Sequence, residues 1–546
     1  LSGGNEKARF FTSFTDFSQD GMIKGQSFDK RSISFNADYN PTDKLSLNAA
    51  ISITQSDNDR VNGDNNIYGA LTTSVLETPG NELFNDDGTY NTSPFTFSNP
   101  LQNAIVDQAR SRTLRTLSNV GLSYQFTENL SGNSKASLER LDFKELVFTP
   151  ATTRRGAPTN GSSTKSLRLI NRYNVFNTLN YNNNIGEVDV DALLGFQFEG
   201  TNIDRTEVNT TGVPAGFEVP SAGSVPITAD NSITESKIFS YFSRVGLSFR
   251  DKLFLEGTLR ADASSRFGND NAVGWFPAVS GAYIISEEEW FKNNVVTNLK
   301  ARASWGETGN QSGIDNFESR FLAGVSNYGP RPGTSVVQLG APDLSWETTT
   351  QIEVGADFTL FNRLDFVYSY YNKETTDVLL NRPLRGSSGF TSVAANVGSV
   401  ENKGHEISLS ARIFEGDFQW TAQFQAAFLE NEITSLERDA NGEFVPIDAG
   451  FATRLAVGQQ LGAFFGLEAQ GLYQEGDDIP DALVNRGVSP GDRKYRDLNG
   501  DGNINADDRV FMGDPLPSWT GNFRNVFRYK NIDFSFNFQF EEGKDI

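Results

Sequence analysis

Asn531-Ile-Asp-Phe-Ser-Phe-Asn-Phe-Gln-Phe540 decides the fold. On an extended backbone, successive side chains point to opposite sides. Ile532, Phe534, Phe536, Phe538 and Phe540 therefore share one face, and Asp533, Ser535, Asn537 and Gln539 share the other. The same alternation recurs in Phe418, Trp420, Ala422, Phe424, Ala426 and Phe428, set against Gln419, Thr421, Gln423 and Gln425. It recurs again in Val188 to Phe198 opposite Asp189, Asp191, Gln197 and Glu199, in Ile33 to Tyr39, and in Leu45 to Ile53. Helical periodicity is nearly absent. About sixteen or seventeen such segments of roughly 9–12 residues are expected, the length a tilted strand needs to cross a bilayer.

Tight turns join some of these segments: Tyr39 to Lys44, Arg250 to Lys252, Leu360 to Arg363, Phe414 to Asp417 and Tyr529 to Asn531. Long polar stretches separate others: Gln55 to Thr113, Glu199 to Lys237, Gly306 to Thr349 and Glu430 to Gly521. Short turns alternating with long loops are the mark of an all-β, transmembrane antiparallel β-barrel, with turns on the periplasmic side and long loops outside the cell. Soluble sandwiches and propellers alternate too. Their strands, however, are usually about 5–6 residues long, and a closed dry core would not tolerate a second face rich in Asp, Asn, Gln and Ser.

Composition agrees. The 546 residues carry a net charge of −22, the wrong sign for phosphate neutralisation, so nucleic acid is excluded as a partner. Strongly acidic chains can be disordered, but 44 Phe, 15 Tyr and 6 Trp rule that out. With no cysteine and a single histidine, His405, there is no thiol nucleophile and no multi-histidine metal centre. No apolar run approaches the ~18 residues of a transmembrane helix. The opening Leu1-Ser-Gly-Gly-Asn-Glu-Lys7 lacks the charged and apolar regions of a signal peptide, so any targeting segment is expected upstream.

Beyond the pattern lie motifs: Arg260-Ala-Asp-Ala-Ser-Ser-Arg-Phe-Gly268, Trp275-Phe-Pro-Ala-Val-Ser280, Ile285-Ser-Glu-Glu288, Leu299-Lys-Ala-Arg-Ala-Ser-Trp-Gly306 and Thr308-Gly-Asn-Gln311. Leu344-Ser-Trp-Glu347, Asn396-Val-Gly-Ser-Val-Glu-Asn-Lys-Gly404 and Gly513-Asp-Pro-Leu-Pro517 follow. In this order they resemble the SusC/RagA-like TonB-dependent outer-membrane transporters across nearly the whole chain. Ser2-Gly-Gly-Asn5 resembles the point where that family leaves its plug for the first barrel strand. The resemblance implies 22 strands in the full protein, with residues 1–546 a partial barrel domain. It also implies a plug domain and TonB box upstream of residue 1, further strands downstream, and no catalytic residues. Its implied partners are the TonB complex, a SusD-like surface lipoprotein acting as a lid, outer-membrane lipid, and an imported oligosaccharide or peptide. A passive porin and a surface adhesin scaffold remain the alternatives.

The sharpest local motif is Asp497-Leu-Asn-Gly-Asp-Gly-Asn-Ile-Asn-Ala-Asp-Asp508. It follows the calcium-loop pattern D-x-[DN]-x-[DN]-G, in which hard oxygen donors alternate and a glycine makes the sharp turn. Asp497, Asn499, Asp501, the Asn503 carbonyl, Asn505 through water and Asp508 are the expected Ca²⁺ ligands, in a structural role. Position 12 is Asp508 where glutamate is usual, and a self-bonded Asx turn is the competing reading. His405, at the start of an alternating strand, reads as an ordinary strand histidine. The loop aromatics Tyr68, Phe84, Tyr90, Phe95, Tyr328 and Tyr473 are candidates to contact ligand, partner or their own loops; the substrate-binding residues themselves are not identified.

Overall fold

The computed structural model describes residues 1–61, 66–92, 95–450 and 452–545. Among them seventeen strands run to eleven residues or more, in agreement with the alternation. Helices are short: Ala70–Leu76, Pro100–Ile105 and Asp481–Val484. No described helix is long and apolar enough to cross a membrane.

The chain divides into two compact units. One comprises Leu1–Tyr181 and Leu193–Tyr241. In it Ala8–Asp20, Ser27–Thr42, Leu45–Arg60, Gln108–Gln125, Leu130–Thr149 and Ser162–Ile185 pair antiparallel, each with the next. The other comprises Asn182–Ala192 and Phe242–Ile546. Its meander runs Leu253–Ser264, Val273–Ile284, Val296–Asn310, Glu347–Leu360, Leu364–Thr376, Ser399–Glu415, Phe418–Ser435, Trp519–Tyr529 and Ile532–Glu542. Pairing strictly between chain neighbours is the up-and-down order that lets every strand satisfy its backbone through the next.

The tight turns fall where expected. Phe361 and Asn362 both have positive φ, 55° and 56°, as do Arg250 and Asp251 at 54° and 56°. This is the two-residue turn whose twist matches that of paired strands.

Strand length departs from expectation. Val225–Phe249 has 25 residues and Val188–Thr211 has 24, well past the roughly 9–12 that a bilayer requires. The cause is visible in Leu45–Arg60, whose apolar row Leu45, Leu47, Ala49, Ile51, Ile53 gives way to Gln55, Asp57, Asp59 while pairing continues to Arg60↔Ala109. Beyond the lipid both faces are wet, so the hydrophobic signal fades although the hydrogen-bond ladder does not. The long connections shrink accordingly to residues 61–107, 212–224, 311–346 and 436–518.

Register confirms the faces. Phe527 pairs with Trp420 on one side and with Phe534 on the other, and Asn525 pairs with Ala422 and Phe536. The rings touch along this row: Trp420 and Phe527 lie 5.5 Å apart, and Phe536 and Phe538 5.3 Å. Phe534 and Phe538 are 58% and 61% exposed, as they must be if lipid is their solvent. Asn525 is the polar exception on this face. It is buried, and its side-chain oxygen accepts the Trp420 indole N–H at 2.9 Å.

Candidate functional site

The polar face of the second unit carries paired charge. Arg302, within the motif Leu299–Gly306, donates to Glu353 and to the Ser369 hydroxyl and lies 3.4 Å from Asp357, so it links three consecutive strands. Arg244 bridges Asp191 and, at 3.2 Å, Glu256. With Lys300 and Asn184 these groups line a concavity of about 880 Å³. A second, of about 690 Å³, is lined by Arg302, Glu406, Gln425, Asn522, Gln539 and Glu541. Sequence reasoning identified the face but missed these clusters; arginines at polar-face positions of long strands were the available signal. In the first unit Glu139 similarly joins Arg115 at 2.7 Å to Arg172 at 3.1 Å. Such walls present fixed, paired charge on the polar face.

The motifs quoted above converge for a different reason. The Arg266 guanidinium donates to the carbonyls of Gln311 and Ile314 at 2.9 and 3.0 Å and to the Asn316 side chain at 2.9 Å. Ser264 donates to the Gln311 side chain. Trp346 packs its ring 5.0 Å from Phe267 and 5.4 Å from Phe276, and its indole N–H donates to the Ala272 carbonyl at 3.0 Å. Asn396 clasps Ser345 in both directions, at 2.8 and 2.9 Å, and Glu347 accepts from the Leu379 amide at 3.0 Å. Around them Phe267, Phe276, Ile314, Leu344, Trp346, Leu379 and Ala394 form a buried cluster. Gly309 is required here, since a Cβ would lie 2.1 Å from the Phe276 ring. The motif residues are thus a rivet that fixes the long connections to the strand ends.

The calcium-type loop closes on itself through its own backbone. Asp497 accepts from the amides of Gly500 and Gly502 at 2.7 and 2.8 Å, Asn499 from Asp501 at 3.0 Å, and Asp501 from Asn503 at 2.7 Å. Asn505 caps the turn Ala506–Asp508. Asp508 is buried and accepts from Leu498 and Asn505 at 2.9 and 2.8 Å. The Asn505 and Leu498 amides hold its carboxyl below the usual range. The six residues follow one another through successive turns with their oxygens satisfied by backbone amides, and among the described residues no three of their acidic side chains converge as a metal site.

His405 lies on the apolar face, paired in register with Tyr370 and Phe428. It hydrogen-bonds the Tyr368 hydroxyl at 2.8 Å and packs 5.0 Å from the Tyr370 ring, so it belongs to an aromatic row. That row continues through Phe428 and Trp519, 5.8 Å apart. Of the loop aromatics, Phe95 and Tyr473 are buried, and Phe84 and Tyr90 pack on each other at 5.3 Å. Tyr68 is half-buried. Tyr328 stands out at 88% exposed.

Comparison with known proteins fits this geometry. Residues 52–540 match the family model described as TonB dependent receptor-like, beta-barrel. TonB-dependent receptor P3 of Formosa agariphila is 30% identical over the whole chain, which spans 57% of that relative's length. TonB-dependent receptor SusC of Bacteroides thetaiotaomicron is 30% identical over 56% of this chain and 31% of its own. The structure of the RagAB peptide transporter superposes on 100% of this chain and 61% of its own, with a TM-score of 0.82 at 23% identity.

Proposed function

The chain belongs to the TonB-dependent receptor-like β-barrel family, a family of outer-membrane transporters rather than enzymes, and from that premise we propose that it forms the wall of an energised importer. In this reading the whole protein takes up oligosaccharides or peptides too large for passive pores. A plug, held in the sequence outside this chain, gates the lumen, and the TonB complex releases it. A SusD-like lipoprotein sits on the long outer loops and closes over the cargo. The observation that carries the reading is the two-faced wall, with exposed phenylalanines on one side and the ion-paired Arg244 and Arg302 clusters on the other. The riveted loops add support, because loops of such length ordinarily have a binding role.

The test is uptake by cells expressing the full-length protein, with and without TonB, together with its isolation in mild detergent. Uptake that stops without TonB and a stoichiometric lipoprotein in the isolate are expected. TonB-independent flux would favour a porin, and loop-dependent binding with no flux an adhesin.

We further propose that Asp497, Asn499, Asp501, the Asn503 carbonyl and Asp508 hold a calcium ion that braces the connection of residues 436–518, with Asn505 reaching it through water. Chelator should then raise proteolysis within that connection, and calcium should restore its resistance. Equal cleavage in both conditions would leave the loop as a self-bonded turn.

A further inference from the structure

The polar wall of the second unit changes character within a few strands. Around Arg244 and Arg302 the charges are closed in ion pairs. Beside them Ser408, Gln425, Asn522 and Gln539 form one row across four strands, each paired in register with the next. All four lie on the polar face, and they line the concavity of about 690 Å³. Among the described residues none of the four side chains makes a hydrogen bond within the chain, and Gln425 and Gln539 are exposed. The row spans three strand spacings, about 14 Å.

Its level is fixed by the sheet. Each member lies seven residues from the end of its strand nearest the short turns, at Glu415, Phe418, Tyr529 and Ile532. At about 3.3 Å per residue and a tilt of about 40°, the row stands roughly 18 Å above those turns, within the hydrocarbon band of about 25 Å. A ligand that reaches it has already passed the long loops.

The chemistry of the row narrows the ligand. The strands Phe418–Ser435 and Trp519–Tyr529 are paired on both sides, so their backbone is used up and only side chains are free to bind. A side-chain amide offers a donor and an acceptor together, and a hydroxyl is the group that answers both. A peptide would also need pockets for alternate side chains, and Val367 is the one large apolar side chain in register with the row. Charge selects further. Glu353 is engaged by Arg302 and Glu541 by Lys544, which leaves Glu406 as a carboxylate without an ion pair at the rim. Glu406 accepts hydroxyl groups and repels anions.

We propose that Ser408, Gln425, Asn522 and Gln539, with Glu406, form a subsite for a neutral oligosaccharide on the wall within the membrane. It deepens the importer reading and rests on it for the direction of passage. Several modest hydrogen bonds suit a step in transit, where a ligand must be held and then released.

The experiment incubates the full-length protein in nanodiscs with malto-, cello-, xylo- and mannohexaose, hexagalacturonate and a tryptic digest of casein. Retained ligand is counted by native mass spectrometry. At least one neutral hexasaccharide should be retained in preference to hexagalacturonate and to the peptides. Gln425→Leu and Asn522→Leu should each lower its retention about fivefold, the equivalent of one net hydrogen bond. Gln419→Leu, on the same face near the turn, should leave it unchanged. Heat-dependent electrophoretic mobility verifies that each variant is a folded barrel. Retention of none of the neutral sugars, preference for hexagalacturonate or peptides, or neutral retention that survives the double variant would each overturn the proposal. The measurement needs no TonB. Sugar retention with TonB-independent flux would keep the subsite and remove the importer, and TonB-dependent uptake with peptide retention would do the reverse.

Discussion

The hairpin Trp519–Tyr529 with Ile532–Glu542 and the knot around Trp346 are both rich in aromatic rings, yet the rings answer to different solvents. In the hairpin, Phe534 and Phe538 are more than half exposed; in the knot, Phe267, Phe276 and Trp346 are under a tenth exposed. The hairpin's stability therefore comes from the backbone ladder and from lipid. The knot's comes from dry packing and from polar groups satisfied across loops. A mutation should do damage of a different kind, and in a different place, in each region.

The largest expected effect is in the knot. Trp346→Ala removes a buried ring and the hydrogen bond to Ala272, and should cost about 3–5 kcal/mol. Hydrogen exchange should accelerate in residues 311–346, while the strand Ile532–Glu542 remains as protected as before. If protection fell equally in both, the two regions would be one cooperative unit and the comparison would fail.

Next comes the hairpin. Phe536→Arg places a charge on the lipid face and should cost roughly 2–4 kcal/mol if it lies near the midplane. Refolding titrations into phospholipid vesicles would measure it. A change under 0.5 kcal/mol, a small surface effect, would mean that the side chain does not face lipid.

A smaller effect, dependent on pH, sharpens the comparison from the loop side. Asp107 joins two connections of the first unit: it lies 3.8 Å from Arg155, and nearby Gln102 donates to the Thr152 carbonyl at 3.1 Å. Burial raises its carboxyl to about 6 from an ordinary 3.8, with Arg155 and Thr153 pulling the other way. Between those values the folded loops hold a proton that an unfolded chain has released. The junction is therefore steadiest below about pH 4 and loses about 2–3 kcal/mol as pH rises through 6. Exchange rates of residues 100–107 and 152–157, corrected for intrinsic rates, should show that loss, and Asp107→Asn should remove it. The hairpin has no counterpart and should be flat over the same range.

What could be read in advance follows the same division. The hairpin's face assignment needed only Asn531 to Phe540, because lipid imposes a period of two on any strand that crosses it. Strand ends were not legible: at Gln55 and beyond, both faces meet water and the pattern stops while pairing continues. The knot was visible as motifs but not as contacts. Arg266 meets Asn316, and Ser345 meets Asn396, across about fifty residues each, and hydrogen bonds between distant loops leave no periodic trace. The loop Asp497–Asp508 was legible as a motif because its donors are consecutive.

Position-by-position accessibility along Asp533 to Phe540 tests the central claim most directly. The sequence contains no cysteine, so single cysteines can be introduced into full-length protein without background. Spin labels there can then be probed in vesicles with oxygen, which concentrates in lipid, and with a water-soluble nickel complex. The account predicts alternation: oxygen dominates at 534, 536, 538 and 540, and nickel at 533, 535, 537 and 539. Equal accessibility at both parities, or protection of the phenylalanine positions from both reagents, would contradict it.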